Sequence, residues 1–150
     1  MSIVKTIMVP TDFSENSTLA LQHAVKYAKI FNAAIYLVYV LPELTGKLGE
    51  IMKYDPKQLR KDAEERCETY FQDQIDRLPE DHGVAIKTKV LVGVPFKQLL
   101  KFQQEAGIDL IVIRAKGESA IEEVIFGGTS LKIIRYARCS TLLVRKPREI

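Results

Sequence analysis

Two cysteines, Cys67 and Cys139, and two histidines, His23 and His82, are all that the chain offers as thiolate or imidazole metal ligands. With no C-x-x-C pair among them, they cannot frame a disulfide scaffold or a zinc cage, and redox chemistry is equally unsupported. Apolar runs are short as well. The longest, Ala33 to Leu41, has nine residues, far below the roughly 20 that a membrane span needs. Charge of one sign never accumulates, because 22 basic and 19 acidic residues leave a net charge of +3 spread along the chain. No nucleic-acid footprint is indicated. Walker A spacing, G-x-G-x-x-G and the G-x-S-x-G elbow are all missing. No Ser, His and acid arrangement can be built around either histidine.

What remains is a chain of 150 residues, 47% apolar and 27% charged, the size at which one domain buries roughly 70% of its unfolded surface. Residues 1–150 therefore read as one domain with one core. The opening Met1-Ser2-Ile3-Val4-Lys5 runs straight into strand-like sequence, which leaves no room for a signal peptide and places the expectation in the cytoplasm.

Apolar periodicity then divides the chain. Ile3 to Pro10 is a buried strand ending in the turn Pro10-Thr11-Asp12. Ser14 is the N-cap of a helix whose stripe, Ala20, Ala24, Tyr27, Ala28 and Phe31, ends at Asn32. Ala34 to Leu41 is apolar without alternation, as a central parallel strand should be. Pro42 to Lys57, with Pro42, Gly46, Gly49 and Pro56, reads as a long loop or lid. Leu59, Ala63, Cys67, Tyr70, Phe71, Ile75 and Leu78 then mark one face of a second helix. Val84 to Val92 is a strand nearer the sheet edge, and Gly93-Val94-Pro95 turns into a helix that Gly107 ends. Asp109 to Ile113 is a short buried strand. A Gly-rich turn, Gly127-Gly128-Thr129-Ser130, opens a last helix with Leu131, Ile134 and Ala137 at helical spacing, and Thr141 to Val144 closes the sheet. Five strands alternating with four helices predict an α/β fold, a single doubly wound parallel sheet.

In such a sheet, ligands bind beyond the carboxyl ends of the strands that flank the reversal of strand order. Strands one and four are the natural flankers. Polar loops follow both: Pro10-Thr11-Asp12-Phe13-Ser14 after the first and Arg114-Ala115-Lys116-Gly117 after the second. The backbone of Gly127-Gly128, at the positive end of the helix it opens, would add an anion site.

These residues reach a known family. Val9-Pro10-Thr11-Asp12-Phe13-Ser14, Gly93-Val94-Pro95, Asp109-Leu110-Ile111-Val112-Ile113 and the ending from Gly127 to Val144 resemble the universal stress proteins in order and spacing. The resemblance implies a Rossmann-like sheet of the adenine nucleotide alpha hydrolase type, with strand order 3-2-1-4-5, and a cytoplasmic, homodimeric stress-response protein that pairs through Ser140 to Lys146. It also implies a cleft for ATP or another adenine nucleotide, with no metal beyond a magnesium ion that the nucleotide carries. The family's base and ribose contacts correspond to Asp12 and to backbone near Val40. Its phosphate loop, Gly, two residues, Gly, nine residues, Gly and then Ser or Thr, falls on Arg114, Gly117, Gly127 and Gly128. Two of these positions depart from the pattern. Arg114 stands where glycine lets backbone approach the ligand, and Gly128 where a hydroxyl would donate to phosphate.

Each candidate has a plainer reading. Asp12 can cap the first helix beside Ser14, and Lys116 can be a solvated loop cation. Thr129 and Ser130 supply a late hydroxyl or serve only as caps. Arg114 grips a phosphate, or it fills the phosphate site while pairing with Glu118, Glu122 or Glu123. Cys67 reads as core, and Cys139 has no histidine near it in sequence. A binding module, an ATP hydrolase slow for want of a base better than Asp12, and a ligand-free protein-interaction module plugged by Arg114 all stay open.

Overall fold

The protein is described from a computed structural model, over residues 3–43, 55–114 and 128–146. Five strands form one parallel sheet: β1 (Thr6–Pro10), β2 (Ala34–Leu41), β3 (Ile86–Val92), β4 (Leu110–Arg114) and β5 (Ser140–Val144). Four helices connect them: α1 (Glu15–Phe31), α2 (Pro56–Asp76), α3 (Pro95–Glu105) and α4 (Gly128–Tyr136). The strand order is β3-β2-β1-β4-β5, as expected. The chain leaves β1 toward one edge, and the β3-to-β4 connection carries it back across to the other. The strands beside that reversal are β1 and β4.

Helices cover both faces, so the central strands carry apolar side chains on both sides. On one face Ile7, Val9, Ile35, Leu37 and Val112 pack against Leu21, Ala24 and Ala28 of α1 and Cys67 and Phe71 of α2. On the other, Met8, Val38, Val40 and Ile111 pack against Leu99 of α3 and Ile133 of α4. Ala20, Ala24 and Ala28 keep α1 close to the sheet, and all three are almost wholly buried.

Helix ends follow local chemistry. Ser14 caps α1, its hydroxyl accepting from the Ser17 N–H, and Asn32 ends the helix at φ 55°. Asn accepts that left-handed geometry more readily than most residues. Gly107, at φ +64°, performs the same turn after α3.

Several boundaries differ from the expectation. The first strand starts at Thr6 rather than Ile3, because the Asp109 carboxylate takes the N–H groups of Lys5 (2.9 Å) and Thr6 (3.0 Å). That same role removes Asp109 from the fourth strand, which begins at Leu110. The second helix starts at Pro56, inside the stretch expected as loop, since Asp55 accepts from the Lys57 N–H (3.0 Å) and Pro56 takes the first turn. It stops at Asp76, and Leu78, expected on its stripe, is buried just beyond it. Residues 44–54, the body of the expected loop, lie outside the described residues. In α4 the inward residue is Ile133, while Leu131 and Ile134 are each 44% exposed. A helix this short touches the protein along a narrow strip, and its apolar spacing did not identify which strip.

Candidate functional site

The turn after β1 is built by short side chains. Asp12 accepts from the Ser14 N–H (3.0 Å) and from the Ser14 hydroxyl. Thr11 is buried, and its hydroxyl oxygen accepts from the Phe13 N–H (2.9 Å) while lying 2.8 Å from Gln74 Oε1 and 2.9 Å from Ser17 Oγ. Gln74, on α2, donates from Nε2 to Ser17 Oγ (3.1 Å) and Thr18 Oγ1 (3.0 Å). A buried amide thus ties α2 to the β1–α1 turn with its donor and acceptor both used, which is the condition for placing it there without penalty.

Phe13 sits in this turn at φ 66°, a costly conformation for an aromatic residue. Packing holds it there. Its ring lies 4.7 Å from Tyr39, 5.2 Å from Tyr70 and 5.1 Å from Phe71, the last edge-on. Tyr70, expected on the apolar stripe, is 51% exposed and serves that stripe through its ring contact with Phe13.

Beyond the ends of β1 and β4 opens a cleft of about 210 Å³. Its depth is apolar, made by Val38, Val40, Leu99, Ile113 and Ile133, and its rim is polar, with Asp12, Asn16, Arg114, Thr129 and Ser130. An apolar cleft with a few polar groups at its rim is the usual form of a small-molecule site. Asp12 and Arg114 are the charged residues of the described lining. Arg114 Nη1 donates to Asn16 Oδ1 at 2.6 Å, so the guanidinium from the end of β4 is braced against the first turn of α1.

Electrostatics sharpen the two sides. Partial burial pushes the Asp12 carboxyl up, but the hydrogen bonds from Ser14, with Ser17 and its own N–H, outweigh this and hold it below the ordinary carboxylate value. It is ionised at neutral pH. Burial, then the positive charges of Lys26 and Arg114, lower the His23 pKa. His23 is therefore neutral at pH 7 and adds no cation beside Arg114.

Of the residues expected at a site, Pro10, Thr11, Asp12, Val40, Arg114, Thr129 and Ser130 come together on the cleft wall. Gly128 begins α4 one residue before that wall, where an added Cβ would meet open space. Gly93 is not part of the wall. It holds φ +136° at the turn into α3, where a Cβ would press to 3.0 Å from the Gln98 side chain, so its role is to make the turn that brings Pro95 to the cleft. Gly117 and Gly127 lie outside the described residues, as do Glu118, Glu122 and Glu123. Arg114 has found a neutral amide on another element. Asn16 carried no local signal, being 98 residues from Arg114 in sequence. Gln74 did carry one. It continues the spacing Cys67, Phe71, Gln74, Leu78, a polar residue on an otherwise apolar stripe.

A doubly wound sheet with a cleft at the strand-order reversal defines a Rossmann-like α/β protein. The universal stress protein family model matches residues 4–145, and the chain belongs to that family. It is 30% identical to universal stress protein MJ0531 of Methanocaldococcus jannaschii over 99% of this chain and 86% of that protein. In fold it is similar to the solved structure of MJ0577 from the same organism, with a TM-score of 0.78 at 23% identity, covering 98% of this chain and 99% of that one. It is similar also to a universal stress protein solved in complex with cAMP, with a TM-score of 0.70 at 21% identity, covering 95% and 97%.

Proposed function

We propose that this protein is a cytoplasmic regulatory module of the stress response that holds an adenine nucleotide in the cleft beyond β1 and β4. The observation that carries this reading is the cleft itself. Val38, Val40, Leu99 and Ile133 offer apolar surface suited to a purine, and ionised Asp12 offers an acceptor for ribose hydroxyls. The cAMP-bound relative supports an adenine ligand. A magnesium ion would enter only with the nucleotide.

Binding is favoured over turnover. A hydrolase needs a base to activate water, and the one carboxylate of the described lining already accepts two hydrogen bonds from Ser14 that lower its basicity. A ligand-free interaction module is the second reading, favoured by one observation: the Arg114–Asn16 hydrogen bond sets the guanidinium across the rim. Mass spectrometry of protein purified natively and then denatured separates them. Release of an adenine nucleotide supports the binding module, and its absence, together with no heat on titration with adenine nucleotides, supports the interaction module.

The module works as a homodimer in this reading. Among the described residues β5 is an edge strand, paired in the sheet with β4 alone, and Thr141, Leu142 and Leu143 are half-buried. A second copy aligned antiparallel along Ser140 to Lys146 would extend the sheet across a twofold axis from the β5 edge. Light scattering at tens of micromolar, order of magnitude, should report a dimer, since interfaces of ordinary size bind more tightly than that.

A further inference from the structure

We propose that the β3 edge of the sheet is a docking site for an extended acidic segment of another protein, which joins the sheet as a strand and sets two carboxylates against Lys87 and Lys89. The site is at the opposite edge from β5 and does not depend on what the cleft holds. An edge strand presents backbone N–H and C=O groups along its outer side, a template for one more strand. Among the described residues β3 is such an edge, paired with β2 alone. Its first half is also uncovered. Lys87, Thr88 and Lys89 are exposed, whereas Val90, Leu91 and Val92 after them are half-buried.

The side chains of β3 set the pattern that an added strand must answer. Ile86 and Val90 pack on the side of the sheet that α1 and α2 cover, and Leu91 packs on the α3 side, so alternation puts Lys87 and Lys89 on the α3 side with Leu91. Two contacts agree with that. Lys87 stands beside Tyr36 in the parallel register, its ammonium 5.7 Å from the centre of that ring, and Lys89 lines a groove between β3 and α3 with Leu91, Lys101 and Phe102. Tyr36 in turn meets Phe102 edge-on at 5.3 Å. A cation resting on a ring that is itself packed gives up less freedom when it pairs. Lys101 adds positive charge to the groove, since its contact with Glu105, 3.9 Å between exposed side chains, is too long and too solvated to cancel it.

Geometry and charge then choose the occupant. A strand added to β3 carries its side chains on the same face at the same two-residue interval, roughly 6.5 Å, and sets them about 5 Å from those of β3. Carboxylates at alternate positions meet Lys87 and Lys89, and an apolar residue one interval further meets Leu91. In antiparallel alignment, the more stable per residue, the segment reads apolar, any, acidic, any, acidic. A second copy of β3 does not fit, because Lys87 and Lys89 would face their own counterparts. Lysines on an edge guard against indiscriminate pairing, and the guard admits a strand of opposite charge. A nucleic acid supplies anions but no backbone that a sheet edge can pair.

The test is fluorescence anisotropy of the full chain with a capped, labelled peptide in which one leucine and two glutamates alternate with threonine. Saturable binding is expected, weakened about three- to tenfold by Lys87→Glu or by Lys89→Glu and weakened further by salt. A peptide with lysines in place of the glutamates should bind the chain carrying both substitutions and not the wild type. Attraction between charges alone would give part of that result, so the backbone is tested separately. Alternate residues of a strand direct their N–H groups to opposite sides, so methylating the amide nitrogens of one alternate set should abolish binding and methylating the other set should leave it intact. Equal binding of the two methylated peptides overturns the proposal, as does a short RNA that binds through Lys87 and Lys89 more tightly than the peptide. Absence of saturable binding up to millimolar peptide also overturns it.

Discussion

The two ends of the cleft are made differently. After β1, the polar groups answer one another: Asp12 is engaged by Ser14, Thr11 by Phe13 and Gln74, and Gln74 by Ser17 and Thr18. After β4, the described residues give Arg114 one neutral acceptor, Asn16. A self-satisfied turn is a framework, whose hydrogen bonds are already made when a ligand arrives. A cation held by one amide keeps donors and charge for something else. The difference separates Thr11 and Gln74, whose loss should cost stability, from Arg114, whose loss should cost binding, while Asp12 belongs to the turn and is also the acceptor proposed for ribose.

The sharpest way to break that comparison is Phe71→Ala. Phe71 is 2% exposed and meets the Phe13 ring edge-on, so truncation opens a cavity and also loosens the packing that holds Phe13 at φ 66°. A loss of about 3–5 kcal/mol is expected from urea denaturation. Less than about 1 kcal/mol would mean that the aromatic cluster does not hold the turn.

Next comes Thr11→Val, which keeps the side-chain volume and removes the hydroxyl. Gln74 Oε1 then loses its donor and the Phe13 N–H its acceptor, at a cost of about 1–3 kcal/mol. Adding Gln74→Leu should cost less than the sum of the single changes, because the stranded amide leaves with it. Strict additivity in that cycle would show that the network is not coupled. Arg114→Gln, by contrast, should shift stability by no more than about 0.5 kcal/mol, as for other residues outside the core.

How much of this was legible beforehand depended on the range of the interaction. Periodicity marked the helices and unbroken apolar runs marked the central strands, since burial of one face or of two leaves its pattern in the sequence, but in α4 the spacing named Leu131 and Ile134 where Ile133 faces inward. Ser14, Asn32 and Gly107 were readable because caps act over a few residues. Asp109 misled because its carboxylate caps a strand end that lies 103 residues away, and an aspartate beside an apolar run carries no mark of that. The site divided along the same line. Thr11, Asp12 and Arg114 announced themselves as polar residues at strand ends, whereas Asn16 became a site residue only when β4 was laid beside α1. Gln74 was not singled out, although it interrupts an apolar stripe, and its partners in α1 carried no mark at all.

The smallest expected effect concerns pH, and it tests whether the framework side is as settled as its hydrogen bonds suggest. The Asp12 carboxyl lies below its ordinary value of 3.8 in the folded chain. Its contribution to stability is therefore present above about pH 3.8 and is lost as pH falls through the lower folded value. His23 is also lowered, from an ordinary 6.5. The unfolded chain then takes up its proton first, so stability begins to fall as pH drops below 6.5. Both groups push in one direction, and both are solvent-screened, so each step should be well under about 1 kcal/mol. Denaturation midpoints measured from pH 7.5 to 3 should decline in two stages, the upper removed by His23→Gln and the lower reduced by Ser14→Ala. A profile unchanged by Ser14→Ala would mean that Asp12 is not held by the cap, and the β1–α1 turn would then have a carboxylate as available to ligand as Arg114 is.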